Sequence, residues 1–138
     1  MIRILLDTNV ILDVALKRKP HFETSSKIFS YIDDIRLKGH VTATTLTDIY
    51  YIFKKVKGNK LAIEFLSNLI KMVAIIGVDK STVLDALHSN IIDFEDAIQV
   101  SAAKQSGLRV IVTRNKSDFK NASLEVYSPA ELLNLLAD

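Results

Sequence analysis

Aspartates follow the apolar runs of this chain, and they are the residues whose type and spacing could do chemistry. Asp7 comes directly after the apolar run at 2–6, and Asp118 comes shortly after a second apolar run at 108–113. Since the functional groups of parallel sheets collect at the carboxyl ends of the strands, we expect such residues to lie close together. The full acidic set comprises Asp7, Asp48, Asp93, Asp96 and Asp118.

Several aspartates gathered at one place require a compensating cation. Without one, neighbouring carboxylates repel each other and are driven to take up protons. The chain has no cysteine, and its three histidines are scattered, so the ligand set is made of oxygen atoms. Oxygen ligands select hard cations such as Mg²⁺ or Mn²⁺, which position water and stabilise charge on a phosphoryl group. The acidic set therefore indicates metal-assisted chemistry on a phosphate.

Each aspartate taken alone also has a purely structural explanation. Asp7 can cap the helix that follows it, and Asp93 can cap a later helix whose first turn carries Asp96. Asp48 falls nearly opposite the apolar stripe of its own helix, which favours a solvated position. Asp118 can be an ordinary loop residue. The chemical interpretation therefore depends on all of them sharing one location.

Apolar periodicity predicts that strands alternate with helices along the chain. Strands are expected at 2–6, 41–43, 72–78, 108–113 and 124–127. Helices are expected at 10–15, 21–38, from about 44 to 53, 61–71, from about 80 to 88, 93–107 and after Ser128. Gly39 is expected to end the second helix, and Thr44 or Thr45 to cap the third, with Thr45-x-x-Asp48 as a capping box and Asp48 in the first turn. This alternation favours an α/β fold with a mainly parallel sheet.

Composition limits the classes of protein that the chain can belong to. Its 138 residues fit one domain, which we take as residues 1–138. Hydrophobic residues make up 49% and charged residues 25%, which excludes a disordered chain, and the absence of cysteine excludes a disulfide scaffold. We find neither an apolar run long enough to cross a membrane nor a signal peptide, so we expect a cytoplasmic protein. The net charge of +2 is too small to indicate nucleic-acid binding by itself.

Three segments of the chain resemble the PIN domain family. They read ILLDTNVIL around Asp7, DFEDAIQVSAA around Asp96 and VIVTRNKSDF up to Asp118, and a helix between them carries Asp48. The resemblance implies a three-layer α/β/α fold with a short, mainly parallel central sheet flanked by helices. It also implies a Mg²⁺- or Mn²⁺-dependent nuclease acting on RNA, with VapC-type toxins as the largest group of such proteins.

The resemblance also implies roles for particular residues. Asp7, Asp96 and Asp118 correspond to the metal ligands, and Asp48 corresponds to the second acid, which is more often glutamate in this family. Asp48 completes the catalytic set, either as a direct ligand or through water. The remaining candidates are expected beside the metal or on the substrate, and these are Asp93, Thr113, Arg114, Asn115 and Lys116. Asp93, one helical turn before Asp96, is a candidate for a further ligand, although we expect it to cap its helix or to support the ligands from behind.

Several functional readings remain open at this point. The leading one is an RNase that is the toxin of a toxin–antitoxin pair, with an antitoxin as partner and a homodimer as its assembly. A non-catalytic PIN-like module that binds RNA or protein is the alternative. A phosphatase with Asp7 as nucleophile is disfavoured, because Asn9 occupies the position where such enzymes carry a second acid.

Overall fold

The computed structural model describes residues 1–137, in which strands and helices follow each other in the predicted order. Those residues form five strands: β1 (Ile2–Leu6), β2 (Leu37–Thr42), β3 (Ala74–Ile76), β4 (Val110–Val112) and β5 (Glu125–Tyr127). They also form seven α-helices: α1 (Thr8–Ala15), α2 (Phe22–Asp33), α3 (Ala43–Lys57), α4 (Asn59–Met72), α5 (Lys80–Leu87), α6 (Phe94–Gln105) and α7 (Pro129–Leu136). A short 3-10 helix, Lys116–Phe119, follows β4.

The strands form one sheet in the order β3-β2-β1-β4-β5, and each neighbouring pair is parallel. In the centre of the sheet Ile4 lies opposite Gly39, and Leu5 lies opposite Ile111. Because neighbouring strands run in the same direction, their carboxyl ends meet at a single edge. Asp7 and Thr113, the residues that follow β1 and β4, both lie at this edge.

Helices cover both faces of the sheet, and each face has its own core. Ile4 and Leu6 pack with apolar residues of α1, α2, α3, α4 and α7, whereas Leu5 packs with residues of α5 and α6. This alternation follows from the two-residue period of a strand. The predicted three-layer α/β/α fold is confirmed, with a sheet that is parallel throughout. Within residues 1–137, no helix has the length and apolar character needed to cross a membrane.

The prediction of one helix over 21–38 was wrong at its carboxyl end. Helix α2 ends at Asp33, Ile35 takes the left-handed conformation with φ 63°, and strand β2 has begun by Leu37. Gly39 lies inside β2. A Cβ at this position would come within 2.9 Å of Ile32 Cδ1. The glycine thus allows α2 to pack closely on the sheet and does not end a helix.

The predicted start of α3 was also wrong. Thr42 is its N-cap, and the Thr42 Oγ1 atom accepts a hydrogen bond from Thr45 N at 3.1 Å. The expected Thr45–Asp48 capping box is therefore not formed. Asp48 lies in the second turn of α3 instead of the first, and Ala43 belongs to the helix instead of the preceding strand. The correction moves Asp48 one turn further from the end of β2.

The two later apolar runs form shorter strands than their length indicated. Residues 72–78 contain only the three-residue strand β3, because Met72 still belongs to α4. Strand β3 is at the edge of the sheet, and Ile75 is 48% exposed, so the prediction of a buried strand was wrong there. In residues 108–113 only β4 pairs with its neighbours.

Candidate active site

Asp7 is held in place by hydrogen bonds to both of its carboxylate oxygens. The residue is 6% exposed and caps helix α1. Its Oδ1 atom accepts from Thr8 N at 2.8 Å and from Gln99 Nε2 at 3.0 Å, and its Oδ2 atom accepts from Thr113 Oγ1 at 2.7 Å. Donors from α1, α6 and the segment after β4 therefore fix one carboxylate at the carboxyl edge of the sheet.

The first turn of α6 brings a second carboxylate to Asp7. Asp93 is the N-cap of α6 and accepts a hydrogen bond from Asp96 N at 3.0 Å. Burial, followed by the negative charges of Asp93, Asp7 and Asp118, raises the pKa of Asp96 to about 7. Carboxylates from three separate segments of the chain therefore act on one another, as the sequence predicted.

A further acidic pair lies beside this group. Glu95 is at the rim of the site and keeps considerable solvent contact, yet loss of hydration and a hydrogen bond shared with Asp48 raise its pKa to about 7. Asp48 itself is half-buried on α3, and within residues 1–137 its buried Oδ2 atom accepts from no N–H or hydroxyl group. Asp48 is thus turned toward other acids, whereas its helical position alone had favoured a solvated side chain.

These residues line one surface cavity of about 390 Å³ at the carboxyl edge of the sheet. Its polar walls include Asp7, Asp48, Asp93, Glu95, Asp96, Asn115 and Asp118. A second cavity of about 300 Å³ shares Asp93, Asp96 and Asp118 with the first and has an apolar wall made by Ile91 and Ile92. The four predicted catalytic acids therefore share one open site, with room beside it for a larger ligand.

The chemistry of this donor set fits a hard divalent cation. All of its charged groups are carboxylates, two of them have raised pKa values, and Asp48 offers a buried oxygen that lacks a partner. As the side chains stand, no three acidic or histidine groups within residues 1–137 are grouped closely enough to hold a metal ion. The cavity thus provides suitable ligands in an open arrangement.

The segment after β4 places its first two residues on different partners. The hydroxyl of Thr113 donates to Asp7 and accepts from Asn115 N at 3.0 Å. Arg114 turns away from the cavity to Asp13, which is fully buried: Arg114 Nε lies 2.6 Å from Asp13 Oδ2, and Arg114 Nη2 donates to Asp13 Oδ1 at 3.2 Å. The guanidinium of Arg114 is therefore already engaged in an ion pair.

The next residues of this segment return to the surface. Asn115 lines the acidic cavity, and the Lys116 ammonium pairs with the Glu131 carboxylate at 2.9 Å. Asp118 follows on the 3-10 helix, exposed beside Asp96. Arg114 and Lys116 were both expected to contact a phosphate of the substrate. In the structure each is paired with a carboxylate of the protein instead.

A comparison with known families decides the classification. The sequence profile of the PIN domain matches residues 3–117, which include most of β1 and residues 113–117 of the segment after β4. The chain belongs to the PIN domain family.

Individual relatives of this PIN domain agree with the match. Ribonuclease VapC1 of Aquifex aeolicus (strain VF5) is 25% identical over 134 residues, covering 94% of this chain and 92% of the relative. A DNA-bound VapBC from Salmonella typhimurium superposes with a TM-score of 0.73 at 18% identity, covering 94% of this chain and 99% of the other. VapC20 of Mycobacterium tuberculosis, a sarcin–ricin loop cleaving toxin, gives 0.69 at 11% identity, covering 88% and 98%. The structural likenesses show that the fold is shared.

Two residues of this PIN domain site were missed by the sequence analysis. Gln99 is fully buried and donates to Asp7, yet its own Oε1 atom has no partner. Its position three residues after Asp96, on the same face of α6, was the signal that could have identified it. Glu95 was passed over because only the aspartates were compared with the family pattern.

Proposed function

We propose that this PIN domain is a metal-dependent ribonuclease that hydrolyses RNA phosphodiester bonds. The observation that carries the proposal is the shared cavity of Asp7, Asp48, Asp96 and Asp118, in which Asp96 has a pKa of about 7. A group of acids that compete for protons in this way is suited to binding a divalent cation. The relation to a protein named ribonuclease VapC1 supports RNA as the substrate.

Asp7, Asp96 and Asp118 are the proposed ligands of Mg²⁺ or Mn²⁺, with Asp48 as a ligand directly or through water. When bound, the cation supplies Lewis acidity and lowers the pKa of water. Asp7 enters the site with its orientation already set by Thr8, Gln99 and Thr113. This preorganisation reduces the entropy lost when the ligands assemble.

The other side chains of the cavity orient the reacting groups. Asp48 presents an unpartnered oxygen that can accept a hydrogen bond from the attacking water. Asn115, which also lines the cavity, can donate its amide to a phosphate oxygen. In the proposed reaction the water oxygen bonds to phosphorus, the bond from phosphorus to the 3′-oxygen breaks, and that oxygen takes up a proton. The products carry a 5′-phosphate and a 3′-hydroxyl.

We further propose that the chain, acting as one domain over residues 1–138, is the toxin of a toxin–antitoxin pair in the cytoplasm. The names of the relatives support this, since VapBC denotes such a complex. Exposed apolar residues on α3 and α4 offer surface for an antitoxin or for a homodimer, and these include Tyr51, Ile52, Val56, Leu61 and Ile63. Induced expression should slow growth, and Asp118→Asn should relieve that effect.

The direct test pairs metal binding with cleavage. Asp118 is exposed, so Asp118→Asn should fold normally, lose Mn²⁺ binding in calorimetry and lose nearly all cleavage of single-stranded RNA. Asp33→Asn, which changes an exposed aspartate at the end of α2, is the matched control and should behave as wild type. Wild-type protein that binds RNA without cutting it under Mg²⁺ or Mn²⁺ would favour the non-catalytic module instead.

A further inference from the structure

A further cavity, smaller than the two at the acidic site, lies on the other side of the segment after β4, between the N-termini of α2 and α7. We call it the α2–α7 pocket; it measures about 220 Å³, and its walls include His21, Thr24, Ser25, Arg114, Ser128 and Ala130. No aspartate or glutamate lines it, in contrast to the two cavities around Asp96. Its polar wall is made by His21, Arg114 and the hydroxyl residues Thr24, Ser25 and Ser128, and Pro129 and Ala130 add apolar surface.

Several of these donors have no acceptor. Helix α2 has no side-chain cap, and the Thr24 N–H, in its first turn, makes no hydrogen bond within residues 1–137. Ser25 is 0% exposed, and its Oγ atom is buried without a partner. Buried polar groups are almost always satisfied in proteins, so an unpartnered hydroxyl at a pocket wall indicates a missing acceptor.

Helix α7 also brings an unpaired backbone N–H group to the pocket. Its capping box uses the Ser128 and Glu131 N–H groups, and Pro129 has none, which leaves the Ala130 N–H without an acceptor in the described chain. The Ser128 N–H, followed by Lys116, lowers the pKa of Glu131 to about 2. The N-terminus of α7 thus already stabilises one negative charge, as helix dipoles do.

The charged side chain on the pocket wall is Arg114, and its charge is only partly compensated. Asp13 is shared by Arg114 and by Arg18, whose Nη1 atom lies 3.7 Å from Asp13 Oδ1. Glu131 is paired with Lys116, and Glu23, in the first turn of α2, is exposed and does not line the pocket. The Arg114 guanidinium therefore still has N–H groups to offer to an anion in the pocket.

We propose that the α2–α7 pocket binds a phosphate group, with the Thr24 and Ala130 N–H groups, the Ser25 hydroxyl and Arg114 as its donors. Its volume lies below the range of about 300–1,000 Å³ typical of drug-sized ligands, which fits a single phosphate better than a whole nucleotide. Residues from both helix N-termini line the pocket, and the free N–H groups of a helix N-terminus favour phosphate.

The source of this phosphate is the backbone of the RNA substrate, a step that rests on the proposed function. Arg114 lines the pocket, and its neighbour Asn115 lines the acidic cavity, so the two sites are on opposite sides of one segment. An RNA strand in the acidic cavity faces carboxylates and needs cationic and N–H contacts elsewhere. The α2–α7 pocket provides such contacts next to the acidic cavity along the segment after β4.

The test uses the full chain without metal, so that binding is separated from cleavage. Inorganic phosphate is titrated at constant ionic strength while amide resonances are followed by NMR. We expect the Thr24, Ser25 and Ala130 amides to shift, and Ser25→Ala to weaken binding about tenfold, as expected for one hydrogen bond to a charged group. Ser26→Ala is the matched control, because the Ser26 Oγ is also buried and unpartnered but Ser26 does not line the pocket.

The outcomes separate the pocket from the proposed function. Amides that stay unmoved in phosphate, or equal weakening by Ser25→Ala and Ser26→Ala, would overturn the phosphate site. A single-stranded RNA oligonucleotide should shift the same amides in competition with phosphate. If phosphate shifts them and RNA does not, the pocket takes free phosphate and the RNA assignment is wrong. Protein that binds phosphate here but cleaves no RNA would refute the ribonuclease proposal while leaving the pocket intact.

Discussion

Replacing Asp96 by asparagine removes one negative charge from the acidic cavity while keeping the size of the side chain. In the metal-free protein burial, followed by the negative charges of Asp93, Asp7 and Asp118, raises the pKa of Asp96 from 3.8 to about 7. Unfolding relieves both the burial and the crowding. Above pH 7, ionised Asp96 therefore costs the folded protein stability, and Asp96→Asn should recover it.

The size of the effect follows from the pKa. A displacement from 3.8 to about 7 corresponds to roughly 4 kcal/mol at full strength. Asp96 is partly exposed, and screening by solvent reduces this to about 1–2 kcal/mol. The loss of a negative charge in the first turn of α6 removes about 0.3–1 kcal/mol of favourable interaction with the helix dipole. We expect a net gain of about 1 kcal/mol for Asp96→Asn.

The direction of the pKa shift of Asp96 also fixes how the stability of the protein depends on pH. Because the folded-state pKa of Asp96 is raised, its contribution to stability is fully present below pH 3.8 and is lost as pH rises to about 7. Wild type and Asp96→Asn should thus converge at low pH and differ most above pH 7. Urea unfolding in EDTA at several pH values measures this difference, with Glu64→Gln on the exposed face of α4 as a charge control.

Adding Mn²⁺ to the same samples should reverse the order. Wild type gains stability because the cation replaces the lost protons, whereas Asp96→Asn lacks a ligand and gains little. If Asp96→Asn is less stable than wild type in EDTA at pH 8, the carboxylates are not crowded in the way the cavity indicates. That single result would refute the electrostatic reasoning behind the proposed metal site.

Two further substitutions test how the site is held in position. Gln99→Leu removes the donor to Asp7 together with the unpartnered Oε1, so the free energy of unfolding in urea should change by less than about 1 kcal/mol. The Mn²⁺ affinity measured by calorimetry should become about tenfold weaker. An unchanged affinity would show that Gln99 does not position Asp7. Gly39→Ala places a Cβ within 2.9 Å of Ile32 Cδ1 and should lower the free energy of unfolding by about 1–3 kcal/mol, measured by thermal unfolding. Gly77→Ala is the control, because a Cβ there meets nothing within 4 Å and should lower stability little. Equal losses of stability would contradict the close packing of α2.

Local signals in the sequence were sufficient wherever a structure depends on neighbouring residues. Strand β1 and the start of α1 were predicted because an apolar run ends at Asp7, which caps the helix that follows. The start of α7 was predicted from Ser128 and Pro129 for the same reason. Even so, the residues that gather at the site come from distant segments. The rule that strand ends share an edge, together with the resemblance to the PIN domain family, grouped them before the fold was known.

Interactions between distant segments explain the errors. The end of α2 was misplaced because helical periodicity in 21–38 carries no record of the pairing between β1 and β2. Asp48 was assigned to the first turn of α3 because Thr42 and Thr45 are equally good caps by composition. The bond from Gln99 to Asp7 spans 92 residues, so the position of Gln99 on the same face of α6 as Asp96 could indicate its place in the site but not its partner.

The segment after β4 shows why the site is a property of the whole fold. Its successive residues contact four different places: Thr113 bonds Asp7, Arg114 pairs with Asp13, Asn115 enters the cavity, and Lys116 pairs with Glu131. Thr113, Arg114 and Lys116 each have a side-chain partner in the protein, which leaves this segment little freedom to move. The hydrogen bond from Thr113 also links the segment to the carboxylate of Asp7. We therefore expect a substitution that removes the ion pair of Arg114 to displace Thr113 and, through it, Asp7.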